Sequence, residues 1–507
     1  MRRRDFLKGA ALTAAGGGAA AGATLLGERS AGAFGDIPAG ADASAVPPAL
    51  RAQNILEIFL YGGVSQYESF YCVDAYGQTD STGWWLFYNS GDVQKAAQSC
   101  GIGGALLQDF ATDSAGNMVK LGPYTMPLRA RPDVVDRLRV AITAHDLEPH
   151  EGAIPLALAG RPLGHPALAG LGSHIQRYYL DHEMAVGRAP YSYMLLSGNL
   201  GFSSDNVRSG TAIGMHPGAA RPLGIKIDAA GDLGALLARG TVGQNRAAYD
   251  KLMKGYVDRY NARLTYKGQT GPLRAPRVVD LSAAADSIAH SDAIASVLDQ
   301  QFFASVAGQE CGDSAGTDAT TMSLNLATHL LTHPTAPARY VCVVDGGLLL
   351  ADGGGGYDTH GECSHTQARN LGHMLKSLMA VINKPGENNP AKLDLDKTMI
   401  VLTTEFGRTP YAQGGGKGRN HWPYGYPIVS IGGPIRSANK GVFGACGPDG
   451  KALPGASSPQ ENRIAALLAL GIWPFAPESY NVSDVPGATD EKSAAQLVKQ
   501  RQLGITS

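Results

Sequence analysis

The sequence predicts an α/β protein with a mainly parallel central sheet and helices on both faces of that sheet. Short apolar runs without polar alternation, at residues 54–61, 340–344 and 398–403, are typical of strands that are buried on both sides. Stretches with helical periodicity separate the runs along the chain, an order typical of parallel strands joined by crossover helices. The 66 glycines and 29 prolines indicate many tight turns around this scaffold.

The strands are predicted first, because their patterns are the clearest. Residues 54–61 (NILEIFLY) are apolar and end at Gly62-Gly63, which marks a turn. Residues 340–344 (YVCVV) and 398–403 (TMIVLT) are equally apolar and rich in β-branched side chains. The remaining predicted strands cover residues 139–143, 191–196 and 427–431.

The helices follow from apolar residues that recur every three or four positions. Leu371, Leu375 and Leu378 predict an amphipathic helix over residues 365–382. Similar spacing, with Leu252 and Tyr256 among the apolar positions, predicts a helical insertion over about 231–335. Two further helices are predicted over residues 461–470 and 491–503.

The amino terminus is predicted to be an export signal and not part of the folded domain. Residues 3–8 (RRDFLK) match the twin-arginine pattern R-R-x-F-L-K, and a weakly hydrophobic Ala/Gly stretch follows up to about residue 26. Ala31-Gly32-Ala33 fits an A-x-A cleavage site, with Phe34 as the first mature residue. We therefore expect export by the twin-arginine machinery, which carries folded proteins, to the periplasm or the cell exterior. A basic, mobile tail and an uncleaved anchor are the alternatives.

The rest of the chain divides by composition. Residues 34–53 are rich in Pro, Ala and Gly and are predicted to be a linker, residues 54–475 a single α/β domain, and residues 476–507 a carboxy-terminal extension. The 43 basic residues are balanced by 44 acidic ones, so the basic excess of a bulk nucleic-acid binder is missing and no nucleic-acid partner is expected.

Polar clusters lie next to three of the predicted strands, where open α/β sheets bind ligands. Asp358 and His360 follow the strand at 340–344, Glu405 follows the strand at 398–403, and His421 precedes the strand at 427–431. Two carboxylates and two imidazoles suit a divalent metal, with zinc as the first candidate. The planar guanidinium of Arg408 would hold an oxyanion.

Structural explanations for the same residues stay open. The Asp-Thr-His motif would also serve as a helix cap, Glu405 and Arg408 as a local ion pair, and His421 as a packed loop residue. His145 and His150 follow the strand at 139–143 and are as consistent with loop structure as with ligands.

A hydroxyl nucleophile has two candidates after the first strand. Ser65 and Ser69 lie in the segment GGVSQYES, just beyond the predicted end of that strand. No G-x-S-x-G elbow is present, which argues against a serine hydrolase of the α/β-hydrolase type.

Taken in order, these motifs resemble the bacterial exported family known as domain of unknown function 1501. The resemblance is carried by the twin-arginine motif, Gly62-Gly63, residues 357–360 (YDTH), residues 404–409 (TEFGRT) and His421, and it covers most of residues 54–475. That family is similar to the alkaline phosphatase-like superfamily, which includes the sulfatases. The resemblance implies an α/β/α sandwich with a metal site at the strand ends.

The resemblance implies two functions. The first is an exported metal-dependent hydrolase acting on a phosphate or sulfate ester, either a small molecule or part of the cell surface. In it, Asp358, His360, Glu405 and His421 hold the metal, Arg408 neutralises the anionic group, and Ser65 or Ser69 is the nucleophile. The alternative is a non-catalytic binding or assembly protein on a degenerate fold, because Tyr61 and Gly62 stand where active superfamily members usually carry an acidic ligand.

Overall fold

The structure is a computed structural model. It describes residues 34–76, 106–165, 168–183, 189–197, 222–227, 247–248, 251–252, 254–256, 258–259, 291–303, 318–348, 351–413, 418–477 and 479–506. The predicted signal peptide (1–33) lies outside these ranges, as does much of the predicted helical insertion. No helix in the described part of the chain is long and apolar enough to cross a membrane.

An eight-stranded sheet forms the centre of the described structure, in the order β12-β4-β11-β8-β1-β7-β5-β6. Two small antiparallel pairs, β2-β3 and β9-β10, lie outside it. The strands are β1 (Asn54–Leu60), β2 (Gln108–Thr112), β3 (Met118–Leu121), β4 (Leu138–Thr143), β5 (Ser192–Ser197), β6 (Leu223–Lys226), β7 (Tyr340–Asp345), β8 (Thr398–Thr403), β9 (Gly407–Arg408), β10 (His421–Trp422), β11 (Tyr426–Gly432) and β12 (Gly441–Phe443).

Every strand predicted from an apolar run is present, and all of them lie in this one sheet. β1 is central and pairs in parallel with both β7 and β8. The exception to parallel pairing in the sheet is β11, which is antiparallel to β8 and to β4. The prediction of a mainly parallel sheet is thus confirmed, and the reversal of β11 determines which loops meet at the site.

Helices cover both faces of the sheet. They are α1 (Pro132–Val135), α2 (His150–Ala159), α3 (Leu171–His182), α4 (Ser291–Val297), α5 (Ala319–Thr332), α6 (Ser364–Val381), α7 (Pro459–Ala469) and α8 (Glu491–Leu503). Short 3₁₀ helices span Pro48–Leu50, Gln66–Glu68, Pro123–Ala130, Gln300–Phe303, Ser437–Asn439 and Val482–Asp484. The predicted helices at 365–382, 461–470 and 491–503 correspond to α6, α7 and α8.

The two faces of β1 show how the core divides. Leu56, Ile58 and Leu60 point into one apolar cluster with α5 and α6, whereas Ile55 and Phe59 point into a second cluster with α2, α3, α7 and α8. This alternation follows from the period of two along a strand, and both faces are apolar because both are covered. The layers are therefore helix, sheet and helix.

The segments at both ends of the α/β domain pack into the second cluster. Ala41, Val46 and Ala52, from the predicted linker, are buried there, and so are Val498 and Leu503 of the predicted extension. The small residues of the predicted linker thus pack closely against the domain. In the predicted insertion, Leu252 and Tyr256 lie on helical turns and are exposed.

Candidate metal centre

Four loops bring polar side chains to one edge of the sheet. The loop after β7 carries Asp358 and His360, the turn after β8 carries Glu405, and α2 begins with His150 shortly after β4. His421 precedes β11 in the chain, and since β11 runs against its neighbours, its beginning lies at the edge where the other strands end. The reversed strand therefore delivers His421 to the same place.

Close backbone packing fixes the position of Asp358. Gly62, at the end of β1, has a φ of +112°, which favours glycine, and a side chain there would collide with the backbone of Asp358. Gly353 approaches the Asp358 carboxylate with similar closeness. The glycines that flank the site thus let the β1 turn and the β7 loop press together around this carboxylate.

The carboxylate of Asp358 is the centre of the cluster. Its Oδ1 lies 3.0 Å from Nε2 of His360 and 3.4 Å from Nε2 of His421, and its Oδ2 lies 3.3 Å from Nε2 of His150. Arg408 also donates through Nη2 to Oδ1 at 2.6 Å. One ligand atom each from His150, Asp358 and His421 lies within 4.8 Å of the others, a spacing that would hold one metal ion.

Each of the three imidazoles is oriented through its other nitrogen. Nδ1 of His150 donates to Oε1 of Glu405 at 2.9 Å, and Nδ1 of His421 donates to the Glu148 carbonyl at 2.8 Å. Nδ1 of His360 lies 3.0 Å from the side-chain oxygen of Gln413. These partners on Nδ1 direct the Nε2 atoms toward Asp358, and such partners are typical of metal-binding histidines.

Electrostatics explain which rings are neutral. Burial lowers the pKa of His421, and the nearby Arg408 and His150 charges lower it further, so this ring is neutral at neutral pH. Its one proton is on Nδ1, because the Glu148 carbonyl accepts a hydrogen bond there. Two electron-rich atoms, Nε2 of His421 and Oδ1 of Asp358, then face each other at 3.4 Å, an arrangement that a cation between them would stabilise.

The other two rings and the Asp358 carboxylate shift one another's pKa values. Burial would lower the pKa of His150, but the carboxylates of Asp358 and Glu405 outweigh it and raise that pKa to about 9. The hydrogen bond to Asp358 raises the pKa of His360. Burial would raise the pKa of Asp358, yet the imidazoles and the Arg408 charge hold it far below its usual range. The carboxylate is thus ionised at neutral pH.

Glu405 was predicted as a fourth ligand, and the structure places it beside the centre rather than in it. Its Oε1 accepts hydrogen bonds from His150 Nδ1 at 2.9 Å and from the Gly62 backbone N–H at 2.8 Å. Its Oε2 accepts from the Thr404 hydroxyl at 3.2 Å. These bonds tie the β8 turn to the β1 turn and hold the His150 ring in place.

Arg408, predicted to hold an oxyanion, donates its hydrogen bonds to other groups of the protein. Its guanidinium is fully buried and donates to the carbonyls of Gly62, Gly63 and Arg419 as well as to Asp358. In this arrangement it holds the turn after β1 against the Asp358 carboxylate.

The two predicted nucleophiles are also buried. The Ser65 hydroxyl donates to Glu68 and accepts from Arg419 Nη1 at 2.9 Å, and the Ser69 hydroxyl donates to the Ser65 carbonyl at 2.6 Å. Glu68 and Arg419 form an ion pair at 2.5 Å without solvent exposure. Ser65 and Ser69 are thus brought into a polar network under the β1 turn, not into the group of metal-ligand atoms.

His150 is the residue whose role the sequence left undecided. Its signal was its position after a predicted strand, which it shared with His145. The structure separates the two, because His145 turns away and donates through Nε2 to the Glu405 carbonyl at 2.7 Å. The distinguishing feature of His150 is its position in the first turn of the helix that follows β4.

The family suggested by the motifs can be compared with this geometry. Residues 259–452 match the family model DUF1501, protein of unknown function. The match confirms the family expected from the sequence over that stretch, which is less than half of the chain. It contains Asp358, His360, Glu405 and His421 but not His150 or the β1 turn. No curated protein and no solved structure matches the chain significantly.

Proposed function

We propose that the chain is an exported metal-dependent hydrolase of phosphate or sulfate esters, with one divalent ion, zinc in the first place, held at the Asp358 centre. The observation that carries the proposal is the convergence of three imidazole Nε2 atoms on one carboxylate. The Asp358–imidazole separations of 3.0–3.4 Å are close to the ~3.3 Å between ligands of a tetrahedral ion with bonds of about 2.0–2.1 Å.

The donor set fits the proposed ion. Imidazole and carboxylate together suit zinc and similar divalent metals. His150 and His421 would bind through Nε2 and Asp358 through its carboxylate, which leaves the fourth position of a tetrahedral ion open for water. His360, also predicted as a ligand, lies beside the Asp358 carboxylate and outside this group of three. Glu405, acting through His150, would orient that ring. Glu405 as a direct ligand is the sequence-based alternative, and Glu405→Gln distinguishes the two roles.

When bound, the ion would polarise an ester oxygen and lower the pKa of a water molecule. We assign the nucleophile to water, because the Ser65 and Ser69 hydroxyls are buried and already donate to protein oxygens. The water oxygen would form a bond to phosphorus or sulfur as the ester bond breaks, and the departing alcohol would leave with a proton. The His360 side chain, about a third exposed, borders solvent and marks the open side of the centre.

The relation to the alkaline phosphatase-like superfamily is part of this proposal. It is supported by the helix–sheet–helix layering, by polar loops gathered at the strand ends, and by the DUF1501 match. The reversed strand β11 and Tyr61 at the end of β1 are features that a comparison with the superfamily must accommodate.

The non-catalytic alternative is favoured by one observation. Arg408, the group expected to neutralise an anionic substrate, has its donors engaged by Gly62, Gly63, Arg419 and Asp358. A protein that binds metal without hydrolysing an ester would need no such free cation. Metal content and activity must therefore be measured separately.

The test uses the purified chain beginning at Phe34. We expect about one zinc ion per chain, and hydrolysis of 4-nitrophenyl phosphate or sulfate that stops on chelation and returns with zinc. His421→Ala and His150→Ala should lower zinc affinity by more than about 100-fold, beyond the range for residues that only orient a ligand. His365→Ala, an exposed histidine on α6, is the matched control and should bind zinc like the wild type.

Three results would separate the hypotheses. A chain that binds no divalent metal, or a His421→Ala variant with unchanged affinity, would remove the metal centre. Stoichiometric zinc without turnover of either ester would favour the binding or assembly protein.

A further inference from the structure

The first described residues bind to a surface of α3. Phe34 is 7% exposed, and its ring stacks on His174 with centroids 5.7 Å apart and planes 12° from parallel. The guanidinium carbon of Arg177 lies 5.1 Å from the centroid of the same ring. Phe34 thus packs against an aromatic ring and a cation, both supplied by one helix.

The next two residues extend this contact. The Gly35 carbonyl accepts a hydrogen bond from the Trp473 backbone N–H at 2.7 Å. Gly35 has a φ of +84°, and a side chain there would come within 2.7 Å of Ile472 and Tyr178. Asp36 accepts a hydrogen bond from Nε2 of His182 at 2.8 Å. The backbone of this segment therefore fits its surface closely.

The surface is one face of α3. His174, Arg177, Tyr178 and His182 are spaced three, four and eight positions apart, which places them side by side on the helix. We define these four side chains as the α3 face. Beyond residue 36 the chain remains attached, because Lys499 Nζ donates to the Ala43 carbonyl at 2.7 Å and Val46 is fully buried.

We propose that the α3 face is the binding site for the amino terminus of the mature chain, and that binding there competes with signal-peptide cleavage. The proposal rests on the export signal expected from the sequence and is independent of the metal centre. The occupant is the segment Phe34–Asp36, and the second partner is the signal peptidase that cuts after Ala33.

The competition follows from access to the peptide bond. Hydrolysis of the Ala33–Phe34 bond adds water and leaves a carboxylate on Ala33 and an amino group on Phe34. The peptidase needs an extended, accessible backbone on both sides of that bond, yet Phe34 is almost entirely buried when bound. A chain exported in the folded state is therefore cut only while residues 34–36 are detached from the α3 face. When attachment and detachment are fast compared with cleavage, the cleavage rate is proportional to the fraction of chains in which this segment is detached.

The order of events gives the α3 face a role in maturation. The segment is released, cut and then bound again, and binding restores the contacts of Phe34 with His174 and Arg177. The free amino group that cleavage creates belongs to Phe34.

The experiment changes the α3 face and leaves the cleavage sequence untouched. Purified full-length precursor in detergent micelles is incubated with signal peptidase, and the rate of conversion is followed by gel electrophoresis and amino-terminal sequencing. Arg177→Ala and His182→Ala should each be cut about two- to fivefold faster than the wild type, and the double variant faster still. Arg259→Ala and His365→Ala, exposed residues elsewhere, are the matched controls and should be cut at the wild-type rate.

Folding is checked by circular dichroism and the melting temperature of each precursor. His182 is about a quarter exposed, so His182→Ala decides the matter if Arg177→Ala does not fold. Equal rates in His182→Ala and wild type, a product that begins anywhere other than Phe34, or a precursor that is never cut would overturn the proposal. A melting temperature of the mature chain that falls when Phe34 is removed would support it.

Discussion

At the scale of single residues, the hydrogen bond between Glu405 and His150 is the most specific feature of the proposed metal centre. The Glu405 carboxylate accepts the Nδ1 proton of His150, and this directs Nε2 toward Asp358. Carboxylate partners of this kind raise the basicity of the ring and fix its orientation. Glu148 offers a contrast, because it orients His421 through its backbone carbonyl and uses its side chain to accept from Tyr424.

Glu405→Gln tests this pairing. An uncharged amide keeps an oxygen near His150 but removes the charge that supports the ring, so we expect zinc affinity to fall by about 10- to 100-fold. Zinc competition with a fluorescent chelator measures the change. Glu148→Gln is the control and should leave affinity unaltered. A much larger loss in Glu405→Gln would instead identify Glu405 as a direct ligand.

At the scale of secondary-structure elements, Asp318 joins two helices. It caps the amino terminus of α5 by accepting from the Thr321 backbone N–H at 2.9 Å, and the same oxygen lies 2.9 Å from Nε2 of His373 on α6. Burial would raise the pKa of Asp318, but the His373 hydrogen bond and charge outweigh it and lower that pKa. The folded structure therefore stabilises the ionised Asp318 carboxylate more than the unfolded chain does.

The sign of the pH effect follows from that direction. Because the folded pKa lies below the unfolded value of about 3.9, the contribution of Asp318 is complete above that pH and is lost as the pH falls through the folded pKa. Asp318→Asn should lower the free energy of unfolding near pH 6 by about 1.5–3 kcal/mol, the range for a hydrogen bond to a charged group. Urea unfolding at several pH values should show this difference shrinking below about pH 4.

Asp490→Asn is the matched control for Asp318→Asn. Asp490 caps α8 by accepting from the Ser493 backbone N–H at 2.7 Å, but it is exposed and has no histidine partner among the hydrogen bonds and ion pairs described. Its substitution should change stability less than Asp318→Asn does near pH 6. Equal effects of the two substitutions would show that capping alone, without the link to α6, explains the role of Asp318.

At the scale of the whole molecule, the two ends of the described chain belong to the same folding unit as the sheet. Leu503 at the end of α8 is fully buried in the second apolar cluster, and Arg139 of β4 donates to the carbonyls of Gln500 and Arg501. A buried ion pair at 2.7 Å, between Glu57 of β1 and Arg463 of α7, links the centre of the sheet to the same layer.

Leu503→Ala tests whether the carboxy-terminal segment is part of this unit. Removing a fully buried leucine side chain leaves a cavity, and we expect the free energy of unfolding to fall by about 2–5 kcal/mol. Thermal unfolding followed by circular dichroism measures the loss. Leu163→Ala, at a position where leucine is 52% exposed, is the control and should be nearly neutral. A neutral Leu503→Ala would mean that α8 is an appendage.

The sequence by itself determined the parts of this protein that depend on near neighbours. Apolar runs identified the strands at the centre of the sheet, and helical spacing identified α6, α7 and α8. The motif order indicated the DUF1501 family. Asp358, His360, Glu405 and His421 were predicted to meet, and the structure places the His360 and His421 rings beside Asp358 but Glu405 behind His150. These inferences succeed because burial on both sides of a strand, or on one side of a helix, imposes a period that a short window of sequence reveals.

The tertiary structure alone decided the rest. The reversal of β11, the choice of His150 over His145, the position of Glu405 behind His150 and the attachment of residues 34–36 to α3 all depend on contacts between distant segments. A small-residue segment looks the same in sequence whether it is solvated or packed, and a histidine after a strand looks the same whether it points into or out of a site. The order and direction of strands across the sheet determine these outcomes, because they decide which side chains share a place in space.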